Sequence, residues 1–291
     1  MSECTHDCSS CSSNCSGAQP QSLIASPHEG SSIKKVIGVV SGKGGVGKSM
    51  VVCQFAFYAA LKRGLRVLVL DFDQQGNTTN TLTHSGKCCV AAVSTGKLLV
   101  SAEIPSAEEL DSPFVLMPAD NYLVQLERTG VTNHQTFILN LNNALETLDD
   151  QFDLCVIDTN PSPDVRATAA MANATHVLAP LELKQESLDG VFELLNKVRG
   201  VQESLNPELQ LLGLLPNLVE KKPYQIAGLN ALLSGAGKFL LKLSSGKPAA
   251  IPNAAAIAEA QGDGRPLWEG PRTKVERVSG ICRQVWEAMA D

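Results

Sequence analysis

The residues best equipped for chemistry lie between Gly42 and Ser49, where Gly-Lys-Gly-Gly-Val-Gly-Lys-Ser fits the spacing G-x-x-x-x-G-K-[ST]. Gly44, Gly45 and Gly47 carry no Cβ, so the chain can take positive φ and turn several N–H groups onto phosphate oxygens. Lys48 brings a compact cation for β and γ phosphates, and the Ser49 hydroxyl offers an oxygen ligand to Mg²⁺. Gly44, Gly45, Val46, Gly47, Lys48, Ser49 and Met50 are therefore the nucleotide-binding candidates. A glycine-rich loop without a nucleotide is the alternative. The flanks argue against it: a β-branched apolar run enters the loop, a helical pattern leaves it, and the positive end of that helix adds to the anion site.

Two acidic groups share the same geometry. Asp71-Phe-Asp73-Gln-Gln-Gly-Asn77 follows a short apolar run at 66–70, and Asp158-Thr-Asn-Pro161 follows another at 152–157. In open α/β sheets the ligand sits outside the carboxyl ends of the strands, so Asp71, Asp73 and Asp158 converge on the edge that the glycine loop faces. Carboxylates there suit an ATP–Mg²⁺ site. The structural alternatives are a helix cap for Asp71 and Asp73 and a turn before Pro161 for Asp158. A third cluster, Cys4, Cys8, Cys11 and Cys15, has the spacing C-x3-C-x2-C-x3-C with His6 beside it. Four thiolates this close suit Zn²⁺ or an iron–sulfur cluster. The stretch holds few apolar residues to pack a metal-bound knuckle, so a metal-free tail is the other reading.

The elements that must position these groups alternate in type. Strands are expected at 34–40, 66–70, 114–117, 152–157, 175–179 (ended by Pro180) and 211–215, the last leading to Asn217. Helical spacing marks 54–62, 136–148 and 187–201, while 78–112 is weakly patterned and reads as short helices and loops. The first of these helices shows a buried face of Val52, Phe55, Ala56, Ala59 and Ala60. Five to six strands alternating with helices imply an α/β fold, a doubly wound, mostly parallel sheet with helices on both faces. Residues 1–33 are expected to be a flexible Cys- and Ser-rich tail and 34–291 a single P-loop ATPase domain.

Composition narrows the class. With 44% hydrophobic and 19% charged residues, the 291-residue chain is an ordinary globular one whose core is aliphatic, since aromatics make up 4%. A net charge of −6 argues against a surface coated with nucleic acid, although a local basic patch can still bind phosphates. No run is long and apolar enough to span a bilayer and no signal peptide opens the chain, so a cytoplasmic location is expected.

Lys43 occupies a position the general pattern leaves open, and Lys43-Gly-Gly-Val-Gly-Lys-Ser49 resembles the deviant phosphate loop of the ParA/MinD/Mrp ATPases. The resemblance implies a homodimer that sandwiches ATP and Mg²⁺, with Lys43 reaching the partner subunit's phosphates. Asp71 to Asn77 resembles the ParA motif D-x-D-P-Q-G-N with Gln74 in place of proline. It implies a catalytic set of Lys43, Lys48 and Asp73, in which Asp73 orients the attacking water while Asp71 supports the loop. The second acidic stretch resembles h-h-h-h-D-x-x-P, in which Asp158, like Asp73, meets Mg²⁺ through water. Asn217 corresponds to an adenine-contacting residue, and 251–262 to a stretch near the base and the dimer partner.

Residues 1 to about 50 resemble instead the start of Mrp-type iron–sulfur carriers, but the C-x2-C pair expected of them is absent from the C-terminal half, which has Cys155 and Cys282. From Val51 onward the chain is similar to ParA-type partition ATPases. This implies non-specific DNA binding through Lys221, Lys222, Lys238, Lys242, Lys247, Arg272, Lys274, Arg277 and Arg283, release by a ParB-like partner, and nucleoid association. The polar residues before the first strand are too few for a helix-turn-helix module, so operator-specific binding is not expected. A cluster carrier and a MinD-like membrane-cycling ATPase are the alternatives. The latter draws on an apolar stripe of Val278, Ile281, Cys282, Val285 and Met289 in the last helix, which fits core packing equally well.

Overall fold

A computed structural model describes residues 33–126, 134–161, 164–184 and 187–291. Cys4, Cys8, Cys11 and Cys15 lie outside the described residues. In chain order the elements are β1 (Lys35–Val39), α1 (Lys48–Leu61), β2 (Val67–Asp71), α2 (Asn77–Ser85), β3 (Cys89–Val90), α3 (Thr95–Ser101), α4 (Ala107–Leu110), β4 (Phe114–Met117), α5 (Tyr122–Leu126) and α6 (His134–Thr147). They continue with β5 (Leu154–Asp158), α7 (Val165–Asn173), β6 (His176–Glu182), α8 (Ser187–Ser204), β7 (Gln210–Asn217), α9 (Pro223–Ala236), α10 (Ala255–Gly262) and α11 (Arg272–Ala290). Seven strands form one sheet in the order β3-β4-β2-β5-β1-β6-β7, and each neighbouring pair is parallel. The strand beyond the expected five to six is β3, a two-residue edge strand too short to leave a periodic signal.

Strand periodicity explains the two cores. Leu68, Leu70, Cys155 and Ile157 point to one face and are covered by Phe137, Leu141, Ala169 and Val198 from α6, α7 and α8. Val67, Val69, Val156, Ile37 and Val39 point to the other, against α1 and the Val275, Val285 and Trp286 side of α11. Both faces are buried, which is why these strands read as continuous apolar runs.

Two elements differ from expectation. Helix α1 is buried from Met50 to Ala59, on every side, because α2, α11 and the sheet surround it. Its one strongly polar interior residue, Gln54, is satisfied there: the side-chain amide donates to the Arg265 carbonyl at 3.0 Å and its oxygen accepts from Leu267 N–H at 2.8 Å. Strand β6 does not stop at Pro180 but runs to Glu182. Leu178 faces β1, where its carbonyl accepts from Val40 N–H at 3.0 Å, and Pro180, two residues on, faces the same side beyond the last β1 pair. No partner there requires the N–H that proline lacks, so pairing with β7 continues through Pro180 and Leu215. In α11, Cys282, Val285 and Met289 are core residues.

Candidate nucleotide site

The glycine loop leaves β1, which lies between β5 and β6 in the sheet, and enters α1 at Lys48, with Gly45 at φ 76° and Gly47 at φ 82°. Both angles belong to the left-handed region that a Cβ disfavours. Gly47 is also pressed from outside, since a Cβ there would sit 2.4 Å from Asn217 Nδ2. The Lys48 ammonium is buried and donates to Ser41 Oγ at 2.9 Å, while the Ser41 hydroxyl donates to the Lys43 carbonyl at 2.7 Å. Burial lowers the Lys48 pKa, and Asp158 and Asp73 oppose that shift. Ser41 went unnoticed as a site residue because it precedes the motif and its role arises only when the loop folds back.

Parallel register brings the acids together. Val39 pairs with Asp158, and Asp158 with Asp71, so the carboxyl ends of β1, β5 and β2 lie side by side. Asp71 and Asp158 are fully buried and Asp73 nearly so. Asp71 accepts from Asp73 N–H at 3.1 Å, Thr79 N–H at 2.8 Å and the Thr79 hydroxyl at 2.7 Å, which makes it the anchor of the 71–79 loop. Desolvation, then repulsion from Asp158, pushes its pKa up to about 7. Asp158 Oδ2 accepts from the Thr78 hydroxyl at 2.7 Å. Desolvation pushes the Asp158 pKa up to about 6, with Thr78, Ser49 and Lys48 opposing.

The other oxygen, Asp158 Oδ1, is buried with no hydrogen-bond partner. An anionic oxygen left bare beside a serine hydroxyl is a donor set for a hard cation or its water shell, so the residues fit Mg²⁺. Ser49 would hold it directly and Asp158 and Asp73 through water, and the ion would neutralise charge developing on the phosphates. Among the described residues no cluster of three His, Cys, Asp or Glu forms a metal cage. A Mg²⁺ bound largely by phosphates and water does not need one.

A cleft of about 750 Å³ opens here, lined by Gly44, Gly45, Gly47, Lys48, Ser49, Met50 and Asp73 at one end and by Asn80, Thr81, His84 and Gln261 at the other. The cleft lining includes Lys48 and Ser49 but not Lys43. Lys43 is exposed and lines a separate cavity of about 100 Å³ with Leu181, Val191 and Leu194. Asn217 is buried at the end of β7 and donates through Nδ2 to the Val46 carbonyl at 2.8 Å, while its Oδ1 has no partner. It thus braces the phosphate loop and keeps one acceptor available.

Lys221, Lys222, Lys238, Lys242, Lys247, Arg272, Lys274, Arg277 and Arg283 are all exposed. Lys222, Arg272, Lys274 and Arg283 lie within 4 Å of Glu220, Glu276, Glu259 and Glu287, pairs that cost little to break at a surface. Sequence reasoning also missed Arg166, Asp164, Thr78 and Thr79, none of which stands in a recognisable spacing.

A family model described as an AAA domain matches residues 34–211. Protein IncC of Escherichia coli is 30% identical over 271 residues, covering 90% of this chain and 69% of IncC. The chromosome-partitioning ATPase Soj of Thermus thermophilus is 33% identical over 186 residues, covering 63% of this chain and 69% of Soj. Among solved structures, a complex of Cyanothece McdA with ATP superposes with a TM-score of 0.69 at 19% identity, covering 89% of this chain and 97% of McdA, a likeness of fold.

Proposed function

The chain belongs to the ParA/MinD family of ATPases, and from that membership we propose that it is a DNA-partition ATPase. ATP closes two copies into a sandwich dimer, the dimer binds duplex DNA without sequence preference, and a ParB-like partner stimulates hydrolysis to release it. Residues 34–291 act as one ATPase domain. The loop from Gly44 to Met50 holds the triphosphate, Ser49 binds Mg²⁺ directly, and Asp158 and Asp73 bind it through water. Asp73 orients the attacking water, and Asn217 offers its unpartnered Oδ1 to the exocyclic amino group of adenine.

The observation that carries this reading is the division between the two lysines of the loop. Lys48 is buried in the cleft of its own subunit, while Lys43 is exposed on another side of the same loop, as a residue that serves a second copy's phosphates would be. A water-positioning acid leaves most transition-state charge to Lys43, Lys48 and Mg²⁺, so turnover by the isolated protein is slow. The nine exposed basic residues supply phosphate contacts, and each contact releases a condensed counterion. The name of Soj supports the partition role. The protein works in the cytoplasm, on the nucleoid. The membrane-cycling alternative is weakened because Cys282, Val285 and Met289 are spent on the core, and among the described residues no helix is long and apolar enough to cross a membrane. The cluster-carrier alternative rests on cysteines outside the described residues, and the iron content of the purified protein separates it.

The test is binding of sequence-unrelated duplex DNA by wild type and Lys43→Ala, with ATP, with ADP and without nucleotide, across a salt series. Salt-sensitive binding that needs ATP and is lost in Lys43→Ala is the expected result. Absence of DNA binding in a protein that binds ATP overturns the mechanism.

A further inference from the structure

Among the described residues Arg166 is the largest fully buried side chain, and the proposed reaction does not use it. It lies in the first turn of α7, the helix that follows the Asp158 loop. Its Nε donates to Asp164 Oδ2 at 2.9 Å, with Nη2 on the same oxygen. Asp164 is held on both sides: Oδ1 caps α7 by accepting from Arg166 N–H at 2.9 Å, and Oδ2 also accepts from Asn160 Nδ2 at 2.7 Å. Asn160 stands two residues after Asp158, so the guanidinium is tied into the loop that carries one acid.

The opposite edge of the guanidinium reaches the other loop. Arg166 Nη1 donates to Gln74 Oε1 at 2.6 Å. The assignment of the amide is unambiguous, because a guanidinium carries donors alone and must meet the oxygen. Gln74 follows Asp73 directly, and Asp73 Oδ1 accepts from Gln75 N–H at 3.0 Å, so the tether point lies inside the turn that aims the carboxylate. A proline at position 74 would offer no side-chain acceptor. Gln74, standing where the motif has proline, and the buried Arg166 are the two halves of one contact.

We propose that Arg166 and Gln74 are positioning residues that clasp the two acidic loops together, setting Asp73 in register with Asp158 for hydrolysis while contributing nothing to nucleotide affinity. A charge-assisted hydrogen bond from a buried guanidinium to the exposed Gln74 fixes geometry that the missing proline would otherwise impose by restricting φ. The clasp couples movement of α7 to movement of Asp73. It rests on the reading of Asp73 as the water-orienting acid.

Gln74 is exposed, so its replacement tests the clasp without emptying the core. ATP affinity and single-turnover hydrolysis are measured for Gln74→Leu, which removes the acceptor, for Gln74→Glu, which keeps an acceptor and charges it, and for Asp73→Asn. Gln74→Leu is expected to hold ATP within about twofold of wild type and to hydrolyse it about tenfold more slowly, with Gln74→Glu restoring the rate to within about threefold. Hydrolysis by Gln74→Leu at the wild-type rate overturns the clasp, as does a loss shared equally by Leu and Glu, or a loss of affinity in step with rate. Hydrolysis by Asp73→Asn at the wild-type rate would instead remove the reading of Asp73, which the Gln74 pair does not decide.

Discussion

At Gly47 two independent constraints fall on one atom. Its φ of 82° disfavours any Cβ, and the place a Cβ would take is 2.4 Å from the Asn217 amide. Gly47→Ala therefore strains the loop by roughly 1–2 kcal/mol from the backbone alone and pushes Asn217 off the Val46 carbonyl. ATP binding, measured by calorimetry, is expected to fall below detection while the far-ultraviolet spectrum is retained. The acids carry a pH signature. Burial raises the pKa of Asp71 from 3.8 to about 7 and that of Asp158 from 3.8 to about 6, so between those values the folded state binds more protons than the unfolded chain. Stability of the nucleotide-free protein accordingly falls as pH rises from about 4 to about 7. Asp158→Asn keeps an acceptor for the Thr78 hydroxyl and removes the buried charge. It should stabilise the nucleotide-free protein at pH 8 by on the order of 2 kcal/mol in urea titration and abolish Mg²⁺-dependent hydrolysis. A variant no more stable than wild type at pH 8 would contradict the assignment of a desolvated carboxylate.

Among the elements, α1 shows how a helix can lose its amphipathic signature. The spacing of Val52, Phe55, Ala56, Ala59 and Ala60 is helical and correct, yet the residues between them are buried as well. α1 has helices or sheet on all sides, and Gln54, the amide buried within it, is paired through both its nitrogen and its oxygen. Gln54→Leu leaves the Arg265 carbonyl and the Leu267 N–H without partners, a cost of about 2–3 kcal/mol. Chemical denaturation should show that loss, with the ATP affinity of the folded variant unchanged because Gln54 does not line the cleft. β6 makes the complementary point. Proline ends a strand when a neighbour needs its N–H, and at Pro180 the neighbour has already ended.

At the scale of the molecule, a chain of net charge −6 can act on DNA only if its cations are grouped locally. Lys221 and Lys247 are exposed and lie in the stretch between β7 and α10 that holds five of the nine candidate lysines and arginines. Replacing both by glutamate is expected to weaken ATP-state binding of unrelated duplex DNA and to reduce the slope of log affinity against log salt by about 2. An unchanged slope would move the interface elsewhere.

Legible from the residues alone are the groups that act locally: the glycine loop, the acids at strand ends and the alternation of strand and helix. These are legible because a phosphate loop needs absent Cβ atoms at fixed spacing, and because a strand buried on both faces must be apolar throughout. Membership of the ParA/MinD family follows from the same residues. The rest depends on contacts between distant segments, which exist only once the chain has folded. The Asp71–Asp158 pairing comes from strand order, the bracing of the loop by Asn217 spans 171 residues, and the contact between Gln74 and Arg166 spans 92. No local pattern encodes such pairs, since an arginine on a helix looks the same in sequence whether it faces water or is buried against the loop it holds.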